Sequence, residues 1–426
     1  SRMTILKRLC AIRGVYVPAL YDVQYNADGT IASMKPNCPE APEKVLKAII
    51  PDLDKAFYPT EIPVPYMEII HDRIMLEIMR GCTRGCRFCQ AGILYRPVRE
   101  RSLEHLVELA QQLENTTGYE EISLSSLSSG DYTCLPELIR ELIRRLDEKH
   151  VSISLPSLRL DSVLKDSLEA TQKEKKTSLT FAPEAGTQRL RDVKGVTEED
   201  LMSKVSDAFH GGWSSVKLYF MMGLPTETTE DLDGIADLAK KVVDAYFAVP
   251  RGERAKGLRV VCSASVFVPK PFTPFQWEPQ DTQEMVREKQ SHLREKLRIK
   301  GVTFNYHESD LSYLEACFAR GDRRMGQVLL RAYQKGCMLD GWTELFKYDM
   351  WREAFAELGI DPAFYAYRRR EKDEIMPWDV IDCGVTKEFL WREKEKAEKA
   401  QTTKDCRKGC NGCGLQRFKG VCKYCG

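Results

Sequence analysis

The stretch that decides the fold is MRGCTRGCRFCQ, residues 79–90, which overlaps the end of an apolar run, RIMLEIM, at 73–79. Its thiols, Cys82, Cys86 and Cys89, have the spacing Cys-x3-Cys-x2-Cys. Three thiolates on one glycine-containing loop can hold three irons of a 4Fe–4S cubane and leave the fourth iron open for chemistry. A zinc site would need a partner from elsewhere, and no second Cys-x2-Cys pair lies nearby in the sequence. We therefore predict an iron–sulfur site.

The composition limits the class of protein. The chain has 426 residues, of which 43% are hydrophobic and 30% charged, with a net charge of +1. This supplies a sizeable core and excludes a chain that is basic throughout. No stretch approaches the roughly 18 apolar residues of a membrane-spanning helix, and with no charged-then-apolar pattern at the start we do not expect secretion. The 15 cysteines are clustered, which indicates metal ligation in a reducing compartment, so we predict a cytoplasmic protein.

Apolar runs alternate with helical patterns about six times between residues 71 and 280. Most runs do not alternate with polar residues, as is typical of parallel strands with both faces buried. Six units are fewer than the eight of a complete barrel, so the predicted fold is α/β, a partial (β/α)6 TIM-like barrel over 71–280. Around it we expect an N-terminal lead-in at 1–70, a helical extension at 281–386, and a basic linker with a cysteine-rich metal-binding tail at 387–426.

The cysteine loop, with an aromatic residue before its third cysteine, resembles that of the radical S-adenosylmethionine (SAM) superfamily. The resemblance implies that Cys82, Cys86 and Cys89 ligate a 4Fe–4S cluster whose open iron binds SAM, and that Phe88 lies near the adenine. It implies reductive cleavage of SAM to a 5′-deoxyadenosyl radical, which abstracts a hydrogen atom. It also implies a one-electron donor of the flavodoxin or ferredoxin type.

Later segments resemble the SAM-binding loops of methylthiotransferase-like members. The serine-rich loop after the second strand takes the place of a small-residue motif that contacts the amino group of SAM, although the usual Gly-Gly-Glu is absent. APEAGTQR at 182–189 resembles a loop that contacts the ribose and carboxylate, and the segments at 217–228 and 267–275 are expected to form apolar walls. A plain structural role is the alternative for each polar residue. The cofactor-binding residues implied are Ser128, Ser129, Gly130, Ser157, Arg159, Glu184 and Arg189.

The pattern from VYVP at 15–18 to the terminal cysteines resembles, more closely, a bacterial family of radical proteins. Full-length members carry an N-terminal cobalamin-binding domain, and they are often encoded beside, or fused to, a small radical-SAM-linked protein, which the resemblance implies as a partner. Only 81 residues precede Cys82, and no Asp-x-His-x-x-Gly cobalamin signature is present. We therefore expect the cobalamin domain to be absent here.

The terminal cysteines form two knuckles, CNGCG at 410–414 and CKYCG at 422–426. Four thiolates from such knuckles make a tetrahedral zinc site. Cys406 repeats the Cys-x3-Cys-x2-Cys spacing, so a second iron–sulfur cluster or a redox-active tail remains open. The surrounding basic residues suit RNA phosphates and equally suit a solvated tail. The predicted terminal metal ligands are Cys406, Cys410, Cys413, Cys422 and Cys425.

The predicted function is that of a radical SAM enzyme that modifies RNA or a translation-associated protein, the latter by resemblance to methylthiotransferase-like cores. Two alternatives remain. One is a cobalamin-dependent methyl transfer that needs an N-terminal domain. The other is a non-catalytic iron–sulfur or zinc module that binds RNA or a protein partner.

Overall fold

A computed structural model of the chain describes residues 1–67, 69–146, 151–154, 179–418 and 421–424. The strands of this part, β1 to β13 in chain order, are Tyr21–Tyr25, Ile31–Pro36, Val45–Leu46, Ile74–Glu77, Met79–Arg80, Arg99–Glu100, Glu121–Ser125, Ser152–Ser154, Leu179–Glu184, Ser215–Met222, Arg259–Val266, Val302–Tyr306 and Ile381–Asp382. Its helices, α1 to α13, are Arg2–Leu9, Ala91–Leu94, Leu103–Thr117, Leu135–Leu146, Gln188–Arg191, Glu198–His210, Thr229–Ala248, Gln283–Lys296, Ser309–Ala319, Met325–Gln334, Tyr348–Glu357, Pro362–Ala366 and Lys387–Glu398.

Two parallel sheets organise the molecule. Strands β4, β7 and β8 form a three-stranded sheet, and β9, β10, β11 and β12 form a four-stranded one, in both cases in chain order. Consecutive parallel strands joined by helices are the mark of an α/β fold, so the predicted fold class is confirmed. Residues 161–172, for which the alternating pattern predicts a short helix, lie outside the described residues.

Strand β12, Val302–Tyr306, is a parallel strand that the sequence did not predict. It pairs with β11 from Val260↔Val302 to Ala264↔Tyr306. The sequence indicated only helices after residue 280. This strand is short and, at the edge of its sheet, alternates between half-buried and exposed residues, so it lacks the continuous apolar run that identified the others.

Each sheet buries its own apolar core. Helices α3 and α4 cover the three-stranded sheet, and α6, α7 and α8 cover the four-stranded one. The helix starts follow from local capping: the Ser102 side chain accepts from the amide of His105, and Thr197 forms a capping box with Asp200. Both caps satisfy amides that a helix leaves without an internal partner.

The N-terminal segment is tied to the C-terminal part of the chain. Strands β1 and β2 form an antiparallel hairpin, and β3 pairs in parallel with β13. The helices α9 to α12 pack as a separate apolar cluster, in the region predicted to be a helical extension. No helix within the described residues combines the length and apolar character that crossing a membrane requires.

Candidate functional site

The motif loops meet at the carboxyl edge of the parallel sheets. The cysteine loop follows β4 through the short strand β5, the serine loop follows β7, and the APEAGTQR segment spans the end of β9. In open and closed α/β folds this edge is where ligands bind. The topology therefore places the predicted site residues on one side of the molecule.

Gly81 turns the chain from β5 into the cysteine loop. Its φ is +93°, a conformation that costs a residue with a Cβ. A Cβ there would also lie 2.7 Å from the carbonyl oxygens of Tyr95 and Pro97. The loop thus passes close to the segment that follows α2, and only glycine fits at this point.

Two of the three loop thiols lie together. The amide of Cys89 donates to the carbonyl of Cys86 at 3.1 Å, and the amide of Gly92 donates to Cys89 Sγ at 3.4 Å. Burial raises the pKa of the Cys89 thiol, and the charges of Cys86 and Glu184 raise it further. Cys86 Sγ also lies 4.0 Å from the carbonyl oxygen of Lys194.

Cys82 faces a different neighbourhood. It lines a cleft together with four of the terminal cysteines. Cys86 lines a separate cleft with Arg87, Glu393 and Thr403. In the described part of the chain, no three Cys, His, Asp or Glu side chains converge on a point suited to a metal ion. Cys86 and Cys89 thus lie together, and Cys82 lines the cleft that the tail thiols share.

The donor set nevertheless fits an iron–sulfur cluster by its chemistry. All three candidates are thiols on one eight-residue segment, Cys82–Cys89, and thiolate is the ligand that such clusters take. Gly81 lets the backbone turn in, and the Gly92 amide already donates to a sulfur. Such N–H donors to sulfur are among the features that tune a cluster.

The hydroxyls of the serine loop form hydrogen bonds to other groups of the chain rather than pointing toward a ligand. Ser128 and Ser129 are fully buried. Ser129 Oγ donates to the carbonyl of Leu124 at 3.1 Å, and Ser128 Oγ donates to Asp131 Oδ2 at 2.7 Å. Gly130, between them and Asp131, lies within a short 3-10 turn. These contacts fix the carboxylate of Asp131.

Asp131 joins three segments that are far apart in the sequence. It accepts from Arg84 Nε at 2.8 Å, in the cysteine loop, and from Arg407 Nη2 at 2.9 Å, in the tail. Burial would raise the pKa of this carboxyl, but the hydrogen bonds from Arg84 and Ser128 and the two guanidinium charges lower it to about 2. An ionised carboxylate thus holds the cysteine loop, the serine loop and the tail together.

Glu184 stands beside the loop thiols in a strained conformation. Its φ is +70°, which is uncommon for a residue with a side chain and is typical of functional sites. Lys194 donates to Glu184 Oε1 at 2.7 Å and to the carbonyl of Ala182 at 2.5 Å. A carboxylate and an ammonium therefore lie next to Cys86 and Cys89, in a position to meet a polar ligand.

Arg189 has a structural role in this conformation. It donates to Thr226 Oγ1 at 3.1 Å and forms an ion pair with Asp231, which caps helix α7. Nearby, a Cβ on Gly186 would lie 2.2 Å from the carbonyl oxygen of Asp231. The second half of the APEAGTQR segment thus packs directly on the start of α7.

Phe88 packs against an apolar wall. The wall consists of buried residues from the three segments that follow β9, β10 and β11, which are Ala185, Leu190, Val193, Leu224, Phe267 and Phe275. Met221 contacts the same wall, whereas Met222 is buried in the core of the four-stranded sheet. Two predicted cofactor-binding residues, Ser157 and Arg159, and the predicted ligand Cys425 lie outside the described residues.

The C-terminal tail packs on the cysteine loop, whereas the sequence predicted a solvated helix or linker for its first part. Helix α13 buries Phe389, Leu390, Glu393 and Lys394. Its Glu393 and the buried Arg87 form an ion pair at 3.3 Å. No sign of this burial was visible in the sequence because two of the four buried residues are charged, and their buried partners, Arg87 and Glu278, are remote in the sequence.

Comparison with known proteins identifies the central part of the chain. Residues 76–239 match the radical SAM superfamily. These residues are a radical SAM domain. The domain begins in β4 and extends into α7, so it contains the cysteine loop, the serine loop and Glu184.

The chain that contains this radical SAM domain is similar to an uncharacterized protein and to two proteins named as methylthiotransferases. The chain is 35% identical over 301 residues to uncharacterized protein MJ0966 of Methanocaldococcus jannaschii, covering 68% of this chain and 63% of that protein. It is 25% identical over 181 residues to the ribosomal protein uS12 methylthiotransferase RimO of Caldanaerobacter subterraneus, covering 39% and 40%. It is 27% identical over 167 residues to putative methylthiotransferase MJ0865 of Methanocaldococcus jannaschii, covering 37% of each. The chain spans less than two thirds of the length of each relative.

Sequence reasoning missed three polar groups around the domain's cysteine loop. They are the Asp131 carboxylate as a three-way link, Lys194 beside Glu184, and the Arg87–Glu393 pair. A charged residue in an otherwise ordinary loop gives no signal of burial. The one available hint was the density of arginines in the cysteine loop, where Arg84 and Arg87 flank Cys86.

Proposed function

We propose that this chain is a radical SAM enzyme that cleaves SAM reductively, with Cys82, Cys86 and Cys89 as the ligands of a 4Fe–4S cluster. The observation that carries the proposal is the Cys-x3-Cys-x2-Cys loop at the carboxyl end of β4, inside a radical SAM domain. A bound cluster would supply the electron that breaks a carbon–sulfur bond of SAM and releases the 5′-deoxyadenosyl radical.

The residues around the loop offer both polar and apolar contacts, which suits a ligand that has polar groups and an apolar face. Glu184 can accept hydrogen bonds from ribose hydroxyls, and Lys194 can pair with a carboxylate once it leaves Glu184. Phe88 and the wall behind it offer an apolar surface that excludes water. Ser128 acts through Asp131, which holds the cysteine loop in place, whereas the hydroxyl of Ser129 is engaged by the carbonyl of Leu124.

The first experiment measures SAM cleavage. The chain is reconstituted anaerobically with iron and sulfide, reduced with dithionite and assayed for 5′-deoxyadenosine. We expect product from the parent chain and from C134A, whose half-buried thiol lies outside the loop, and none from C89A. A parent chain that carries an intact cluster and releases no 5′-deoxyadenosine would overturn the proposal.

We also propose that the substrate belongs to the translation machinery, as RNA or a ribosomal protein. Support comes from the similarity to a ribosomal protein methylthiotransferase and from exposed basic residues of the tail, such as Lys404 and Lys408. RNA nucleosides and ribosomal proteins from cells with and without the gene are compared by mass spectrometry. A modification lost with the gene and restored by the parent chain, but not by C89A, supports the assignment. Unchanged RNA and ribosomal proteins contradict it.

A further inference from the structure

A cleft between the cysteine loop and the tail is lined by five thiols. Four belong to the tail and one, Cys82, belongs to the cysteine loop, together with Arg96. The tail thiols of this cleft are Cys406, Cys410, Cys413 and Cys422. Four candidate ligands of a soft metal therefore line one cleft, although among the described residues their sulfurs do not converge on one point.

Two of these sulfurs already receive N–H groups. The amide of Gly412 donates to Cys410 Sγ at 3.4 Å, and Asn411 Nδ2 lies 3.6 Å from Cys406 Sγ. N–H groups directed at sulfur stabilise the charge of a metal-bound thiolate. Cys406 is thus part of the cleft and shares the surroundings of the knuckle thiols.

Arg96 supplies an independent observation. It is 5% exposed, and its Nη1 has no hydrogen-bond partner among the described residues. Its Nε donates to the carbonyl of Gly92 at 2.9 Å and its Nη2 to that of Arg84 at 3.3 Å. A buried guanidinium nitrogen without a partner is costly. A metal held by four thiolates carries net negative charge and would satisfy it.

The backbone holds the tail against the rest of the chain at this point. The amide of Thr386 donates to the carbonyl of Cys413 at 2.9 Å. Gly414 has a φ of +107°, and a Cβ on it would lie 2.5 Å from Thr386 Cγ2. The backbone at Cys413 is therefore held in place by its contacts with Thr386, at the start of helix α13.

We propose that Cys406, Cys410, Cys413 and Cys422 bind a second thiolate-held metal centre, a zinc ion or an iron–sulfur cluster, and that Cys82 of the cysteine loop and Arg96 of the segment that follows α2 form its wall. Metal binding draws the four thiols onto one ion or cluster and fastens the tail to the loop. The site goes beyond the proposed function, because it does not depend on SAM cleavage.

The test is the metal content of the full chain, purified anaerobically, with zinc, iron and sulfide measured per chain. The double variant C406S/C410S changes one half-buried and one exposed thiol, so it opens no core cavity. We expect it to lose one metal centre relative to the parent chain. C383S, a buried thiol of the adjacent apolar cluster, should keep the parent content.

Further variants separate the two sites. C86A/C89A should lose the iron of the cysteine loop and keep the terminal metal. If the ligands were only the thiols of the two knuckles, the single variant C406S would have the same metal content as the parent chain. Parent-level zinc and iron in C406S/C410S would overturn the inference. A parent chain with the terminal metal but no SAM cleavage would overturn only the proposed function.

Arg96 gives a second readout. R96Q should weaken the terminal metal by about 10- to 100-fold, the usual effect of losing a partner of a metal ligand, as measured by competition with a colorimetric chelator. R392Q is the control, because Arg392 contacts the tail through the carbonyl of Asn411 but does not line the cleft. Equal metal affinity in R96Q and R392Q would contradict the role of Arg96 in the wall.

Discussion

Gly81 illustrates how one residue controls the cysteine loop, since it combines a positive φ with a close approach of two carbonyl oxygens. Gly118 has a similar φ of +68°, but nothing lies within 4 Å of the place of its Cβ. Both G81A and G118A should lose roughly 1–2 kcal/mol of unfolding free energy from backbone strain. Only G81A must also move the loop.

We therefore expect G81A to be less stable than G118A in urea unfolding and to retain several-fold less iron after reconstitution. Equal stability and equal iron content in the two variants would show that the loop tolerates a Cβ at this position.

Asp131 predicts a dependence of stability on acid pH. Its pKa falls from 3.8 to about 2 in the folded chain, so the folded state favours the ionised form. The resulting stability is fully present above about pH 4 and is lost as the pH falls through about 2. The shift corresponds to roughly 2 kcal/mol.

D131N should therefore be less stable than the parent chain by about 2–3 kcal/mol at pH 6, in urea unfolding, and the difference should shrink toward pH 2. E137Q removes an exposed partner of Arg140 and should change stability little at any pH. A difference between parent and D131N that is constant from pH 6 to pH 2 would contradict the assignment.

At the scale of elements, helix α13 is fixed to the cysteine loop by a buried ion pair. Glu393 and Arg87 are each nearly inaccessible, and Arg87 Nη2 also donates to the carbonyl of Gln401 at 2.5 Å. Removing one partner of such a pair leaves a buried charge and costs about 3–5 kcal/mol.

E393Q should therefore speed amide hydrogen exchange in α13 and in residues 82–89. E395Q is the matched control on the same helix, because Glu395 is exposed and its Gln can still accept from Trp391 Nε1. Identical exchange in E393Q and E395Q would mean that the pair does not hold the helix in place.

The elements show how far the sequence could predict the structure. Strands such as Ser215–Met222 and caps such as Thr197 were predictable, because their signals are local runs and local spacing. The spacing of the loop cysteines likewise identified the domain. The contact between Asp131 and Arg407 joins residues 276 positions apart, and no local pattern encodes it. The same holds for the cleft that Cys82 lines with the tail thiols.

At the scale of the whole molecule, the tail contributes to a core that it shares with helix α2 and the segment around Trp277. Phe389, Leu390, Cys413 and Leu415 are buried in this cluster with Ile93. Each large apolar side chain buried this way contributes roughly 1.5–3 kcal/mol. Helix α1, by contrast, has no buried residue.

Deleting residues 387–426 should therefore give a chain that aggregates or is cleaved rapidly by protease, whereas deleting residues 1–9 should leave protease resistance close to that of the parent. The measurements are soluble yield and limited proteolysis of the three chains. A tail-deleted chain as resistant as the parent would contradict a shared core.

The position of Asp405 has a consequence for the order of assembly. It accepts from Thr83 Oγ1 at 2.9 Å, yet it lies 322 residues downstream. During synthesis the cysteine loop leaves the ribosome long before the segment that covers it. The contact between Thr83 and Asp405 can therefore form only after the tail has been synthesised, so this side of the cysteine loop is covered late in folding.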